Sequence, residues 1–152
     1  MLDGYSSSTG QATLQLITLM GVTLNYNGKI RDRVGQGDSA LSPDSFLDGV
    51  FTVTLPVGSG SRTVTSLDLR NSSGGVWDTL PNGFWALGAA SNLDGALLNA
   101  SDATVNFAVG DGGSFNIFAS DSGGSMFNSG VIFTLTVNFS DGTIGVGNLT
   151  LP

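Results

Sequence analysis

Apolar and polar residues alternate along most of this chain, which is the pattern of half-buried β-strands. In the stretch GVFTVTLPV, residues 49–57, the apolar Phe51, Val53 and Leu55 alternate with Thr52 and Thr54. Other stretches of this kind, or short and apolar, are residues 12–26, 62–70, 84–90, 103–109, 114–120, 131–139 and 143–151. The first of these is either one long strand or two strands with a break at Gly21.

Glycine-rich segments separate these stretches and predict tight turns. GSGS (58–61), GDGG (110–113) and SDGT (140–143) each carry the residues that hairpin turns favour. No stretch has a helical period, and residues 93–103 allow one helical turn at most. The pattern predicts an all-β fold: an antiparallel β-sandwich of about eight strands, immunoglobulin-like or jelly-roll-like, with long Asp- and Gly-rich loops. Residues 14–152 form its single domain, and residues 1–13 form a linker or N-terminal arm.

Composition narrows the function classes. The chain has 152 residues and a net charge of −7, and it lacks Cys, His and Glu, so all 12 acidic residues are aspartates. Nucleic-acid binding needs a basic surface, which this chain lacks. Without His, Cys or Glu the usual catalytic groups are missing, so we expect no enzyme. The apolar residues 14–24 are too few and too polar to span a membrane, and the low Lys content suits an extracellular protein.

The aspartates fall into two groups. Five of them precede glycine, and for Asp111 and Asp141, which lie inside turn signals, we expect a structural role. Others crowd the long loops and could present oxygen ligands to Ca²⁺, which takes six to eight oxygens. The candidate metal ligands are Asp38, Asp44, Asp78, Asn71 and Asp121. The competing interpretation is that they only cap turns, and the sequence leaves open whether Asp121 lies at the same end of the fold as Asp38 and Asp78.

Two further groups of residues are candidates for binding. The segment GVWDTLPNGFWALG holds Trp77 and Trp85 near Asn82, which could form a platform for a sugar ring or could anchor a loop to the core. Lys29, Arg31 and Arg33 are three of only five basic residues, and their two-residue spacing places them on one face of a strand. We expect this basic stripe to pin the acidic loops through ion pairs or to meet an anionic partner surface.

Three phrases in order, YNGKIRDRVGQGD, GVWDTLPNGFWALG and VGDGGSFNIFASD, carry a resemblance. Together they resemble a β-sandwich accessory module that recurs in large secreted bacterial proteins, such as adhesin-like proteins and extracellular hydrolases. The resemblance covers about Thr23 to Leu151. It implies an extracellular, non-catalytic accessory domain and supplies no ligand.

The leading hypothesis is therefore a structural or adhesive module stabilised by Ca²⁺, at the cell surface or outside the cell. Its partners would be calcium and neighbouring domains of the same protein. One alternative is a carbohydrate-binding module that holds a polysaccharide with the loop tryptophans. A second alternative is a subunit of a virion or filament.

Overall fold

The computed structural model describes residue 10 and residues 16–31, 47–77, 84–86, 104–119 and 126–152. Within these residues the protein is all-β, with strands in two sheets and no helix. The all-β class predicted from the alternation is confirmed. This part of the chain therefore has no helix that is long and apolar enough to cross a membrane.

Six strands form the larger sheet: β1 (Leu19–Gly21), β4 (Arg62–Asn71), β5 (Val76–Trp77), β7 (Thr104–Val109), β9 (Ile132–Phe139) and β10 (Ile144–Thr150). The order is β1, β10, β9, β4, and β4 then pairs with β5 near one end and with β7 near the other. All pairs are antiparallel except that of β1 with β10, which is parallel. Among the described strands, β1 comes first in this order and forms one edge of the sheet.

Four strands form the smaller sheet: β2 (Thr23–Arg31), β3 (Leu47–Thr54), β6 (Phe84–Ala86) and β8 (Ser114–Ala119). Their order is β2, β3, β8, β6, and every pair is antiparallel. The described residues thus contain ten strands where the alternation predicts about eight. The additional strands include β5, which has two residues, and β1, which is separated from β2 by a single residue.

The two sheets share one hydrophobic core. Phe51 and Val53 in β3, and Leu55 directly after it, are buried while Thr52 and Thr54 are partly exposed, as their alternation predicts. Across the core, alternate residues of β9 are buried in the same way, and the rings of Phe51 and Phe133 lie 5.2 Å apart. The apolar face of each sheet therefore covers that of the other.

Val22 is the point at which the chain passes from one sheet to the other. Its N–H donates to the carbonyl of Val146 in the larger sheet at 3.0 Å, and Thr23 begins the smaller sheet. Two glycines of β10 make room for this crossing, because a Cβ atom on Gly145 or Gly147 would lie 2.9 Å from an atom of Val22. The predicted break in residues 12–26 is present, one residue after Gly21.

Two of the three predicted hairpins are wrong. Residues 140–143 join β9 to its partner β10 as predicted. Residues 58–61, however, belong to the connection 55–61 from β3 to β4, and residues 110–113 join β7 to β8. In both of those cases the flanking strands lie in different sheets, so the turns are arches across the core. Any tight reversal favours glycine at positive φ, as at Gly60 and Gly112, so the turn residues do not reveal which sheet the next strand joins.

The arches and the hairpin between β9 and β10 lie together at the arch end, which we define by residues 57–61, 110–113 and 140–143. Asp111 Oδ1 accepts a hydrogen bond from the Gly60 N–H at 2.9 Å, and N–H groups of Gly58 and Gly60 hold the Asp111 pKa below its ordinary value. The Thr143 N–H and hydroxyl and the Arg62 guanidinium lower the pKa of Asp141 in the same way. Both carboxylates therefore act within the fold, which agrees with the structural role expected of them.

Candidate functional site at one end of the sheets

Segments that carry predicted metal ligands leave the smaller sheet at one end. Arg31, the last residue of β2, lies opposite Leu47, the first residue of β3, so residues 32–46 with Asp38 and Asp44 connect at this point. Two residues further along β3, Gly49 lies opposite Ala119, the last residue of β8. The segment that contains Asp121 therefore starts beside the segment that contains Asp38 and Asp44, a point that the sequence left open.

Phe127 joins this region to the larger sheet. It is 3% exposed, and its ring lies 5.5 Å from that of Trp77 and 5.6 Å from that of Phe133. On its other side it covers Gly49, where a Cβ atom would lie only 2.5 Å from the ring. Trp77, the last described residue before Asp78, is thereby placed at the same end. We call this region, bounded by Arg31, Leu47, Trp77 and Ala119, the loop end.

The sequence analysis did not identify Phe127 or its contact with Gly49. Asp48 and Gly49 resemble a turn, yet both lie in β3, and Gly49 does not have a positive φ. The glycine is needed there because the Phe127 ring occupies the space of a side chain. Phe127 follows Met126 in a stretch that is otherwise rich in Gly, Ser and Asn, and this pair of large apolar residues was the available signal.

Trp77 lies in the core and has no exposed surface. Its ring is held between the aromatic neighbours named above, and Gly75 lets the indole lie against the backbone, since a Cβ atom there would be 2.7 Å from Trp77 Cη2. This position agrees with the interpretation of Trp77 as a core anchor. It leaves no ring face on which a sugar could stack.

Asn71, at the end of β4, closes its own turn. Its Oδ1 accepts hydrogen bonds from the N–H groups of Ser73 at 3.1 Å and Gly75 at 2.7 Å, and its Nδ2 donates to the carbonyl of Met126 at 3.2 Å. The two bonds to Oδ1 use both lone pairs of that atom. Asn71 therefore positions the loop end and is not available there as a metal ligand.

Most other predicted site residues lie outside the described residues: Arg33, Asp38, Asp44, Asp78, Asn82 and Asp121. For three more only the backbone is described, in β2 and β6, and their side chains are not: Lys29, Arg31 and Trp85. The register places Lys29 opposite Gly49 and Arg31 opposite Leu47, so both basic residues belong to the strand that leads into the loop end. A register shift between Tyr26 and Gly28, which the sequence analysis did not predict, precedes them.

Acidic residues outnumber basic ones around the loop end. The two arginines with described side chains are already paired, Arg62 with Asp141 and Arg70 with Asp68 at 2.8 Å. The basic residues that remain are Lys29, Arg31 and Arg33. Six aspartates lie in or next to the segments that leave the loop end: Asp32, Asp38, Asp44, Asp48, Asp78 and Asp121. Together with the strand residues next to them, these segments therefore carry twice as many acidic residues as basic ones.

Among the residues that the structure describes, no group of three or more acidic side chains is close enough to hold a metal ion. No protein-family model and no curated protein matches this chain.

Proposed function

We propose that the protein is an extracellular, non-catalytic structural or adhesive module. Its fold is a β-sandwich of the immunoglobulin-like or jelly-roll-like kind, and Ca²⁺ bound at the loop end stabilises it. The observation that supports the proposal is that the strand ends from which separate acidic segments leave lie at one end of the two sheets. In this proposal a divalent cation reduces the repulsion among the carboxylates of these segments.

The proposed ligands are the carboxylates of Asp38, Asp44, Asp78 and Asp121, completed by backbone carbonyl groups of the same segments. Two of these aspartates closely follow described strands, since Asp78 comes directly after Trp77 and Asp121 comes two residues after Ala119. The buried contact between Trp77 and Phe127 holds the chain in place next to the proposed site. Ligands that closely follow rigid strands favour metal binding, because they lose less conformational entropy when the metal binds.

The basic stripe of Lys29, Arg31 and Arg33 has a complementary role in this proposal. These residues pin the acidic segments through ion pairs when no metal is bound, because the described arginines are engaged elsewhere. The basic stripe and the cation then neutralise the same carboxylates, so each stabilises the fold most when the other is absent. The absence of His, Cys and Glu from the sequence supports a role without catalysis.

Thermal unfolding in EDTA and in calcium tests the proposal. Extracellular modules bind Ca²⁺ with Kd of about 10⁻⁴–10⁻³ M, so about 10 mM calcium should stabilise the fold by about 1.4–2.7 kcal/mol. At about 2–4 °C per kcal/mol, the melting temperature should rise by about 3–11 °C. We expect Asp38→Ala and Asp78→Ala to lose this response.

Asp141→Ala is the matched control, since it removes the same charge at the arch end, and it should keep the full calcium response. Wild-type curves that coincide in EDTA and calcium would rule out the calcium site. A response that Asp141→Ala loses and Asp78→Ala keeps would place the metal at the arch end instead.

A further inference from the structure

Among the described strands, the edge strand β1 has a partner on one side only. Hydrogen bonds from Ile144 N–H to the Thr18 carbonyl at 2.9 Å, and from Val22 N–H to the Val146 carbonyl at 3.0 Å, direct Thr18 and Val22 toward β10. Because backbone groups of successive strand residues alternate in direction, those of Leu19 and Gly21 face away from β10. No described strand pairs with β1 on that side. A row of N–H and C=O groups is thus open to another strand.

The same edge is apolar. The largest exposed apolar side chains in the described residues include three here, Leu16 at 93%, Ile17 at 61% and Leu19 at 69% exposure. Leu19 is the register partner of Ile144, which is partly exposed, so the apolar strip continues from β1 onto β10. The devices that usually protect an edge strand, a charge, a proline or a bulge, are absent from Leu16 to Gly21.

The edge is also free of charge. Residues 11–28 contain no charged side chain, and neither do residues 142–152, which include β10. Elsewhere the net charge of −7 makes two copies of the chain repel each other. In a dimer with two-fold symmetry, the same surface patch of each copy faces the other. A charged patch would therefore repel its own copy, so the contact needs an uncharged patch. The edge formed by β1 meets this condition.

We propose that two copies of this chain associate through antiparallel pairing of their β1 strands. The backbone groups of Leu19 and Gly21 in each copy bond to those of the other, and the exposed apolar side chains from both copies cover one another. The two larger sheets then form one continuous sheet. Because each copy uses its single β1 edge, the assembly closes as a dimer. The association does not involve the loop end, so it goes beyond the proposed function and does not depend on calcium.

Sedimentation velocity in EDTA, over a range of protein concentrations, tests this inference. The wild-type protein should shift from monomer to dimer as concentration rises. Leu19→Lys places two like charges across the two-fold axis and should raise the dimer Kd by about tenfold or more. Ile17→Lys, which lies outside β1, should also raise the dimer Kd. It replaces Leu19→Lys in the test if Leu19→Lys lowers the melting temperature.

Val57→Lys is the matched control. Val57 is 89% exposed and precedes β4, which β9 and β10 separate from β1 in the larger sheet, so this substitution makes the same change of charge away from β1 and should leave the dimer intact. A wild-type protein that stays monomeric at every concentration would overturn the inference. So would dimers of Leu19→Lys and Val57→Lys that dissociate equally. Because every run contains EDTA, either result leaves the calcium proposal standing.

Discussion

Replacing Trp77 with alanine is expected to lower the free energy of unfolding by about 3–5 kcal/mol, the usual cost of removing a large buried aromatic side chain. Trp77 has no exposed surface, and its ring lies 5.5 Å from Phe127 and 5.7 Å from Phe133. The cavity would lie directly between the core and the loop end, and these two rings would lose a common neighbour. At about 2–4 °C per kcal/mol, the melting temperature should fall by about 6–20 °C, measured by circular dichroism.

The control for this substitution is Val57→Ala, which shortens an apolar side chain that is 89% exposed. Its free energy of unfolding should stay within about 0.5 kcal/mol of wild type. If Trp77→Ala melts like Val57→Ala, the indole is not a core anchor. A role for Trp77 at the surface, such as holding a sugar ring, would then return as the better explanation.

Gly49→Ala is expected to destabilise the protein by about 1–3 kcal/mol, although glycine to alanine in a strand usually stabilises. The added methyl group would lie 2.5–2.9 Å from three ring atoms of Phe127. Phe127 has little room to move, since it is 3% exposed and its ring is parallel to that of Phe133 within 6°. Either β3 or Phe127 must shift, and urea unfolding should report the loss as a lower midpoint with an unchanged slope.

Gly21→Ala provides the matched comparison. Gly21 also lies in a strand, but a Cβ atom there meets nothing within 4 Å, so this substitution should be neutral or stabilising by up to about 1 kcal/mol. Equal effects of Gly49→Ala and Gly21→Ala would show that Phe127 does not press on β3. The link between the two sheets at the loop end would then have to be abandoned.

Periodicity allowed the strands to be predicted, but not their arrangement. The alternation of Phe51, Val53 and Leu55 identifies β3 because burial on one face of a strand follows a period of two. In β4 the buried Val64 and Leu67 are three residues apart, and a register shift between Val64 and Ser66 explains the odd spacing. Which sheet a strand joins depends on contacts across the core, so the arches were mistaken for hairpins.

The candidate site was predictable only in part, for a related reason. The composition identified the excess of aspartates in loops, but only the register of β3 with β2 and β8 brings their segments to one end. The local sequence around Trp77, rich in glycine and followed by an acid, resembles an exposed loop. Glycine at position 75 instead allows the indole to lie against the backbone, so the same residue type indicates a close contact inside the fold.

Terbium luminescence tests the calcium site at the loop end most directly, because Tb³⁺ accepts the same oxygen ligands as Ca²⁺ and emits when a nearby indole is excited. We predict emission from the wild-type protein on tryptophan excitation, displaced by added Ca²⁺, since Trp77 directly precedes Asp78. Asp141→Ala should retain this emission and Asp78→Ala should lose it. The absence of sensitised emission from the wild-type protein, or emission that Asp78→Ala retains and Asp141→Ala loses, would contradict a calcium site at the loop end.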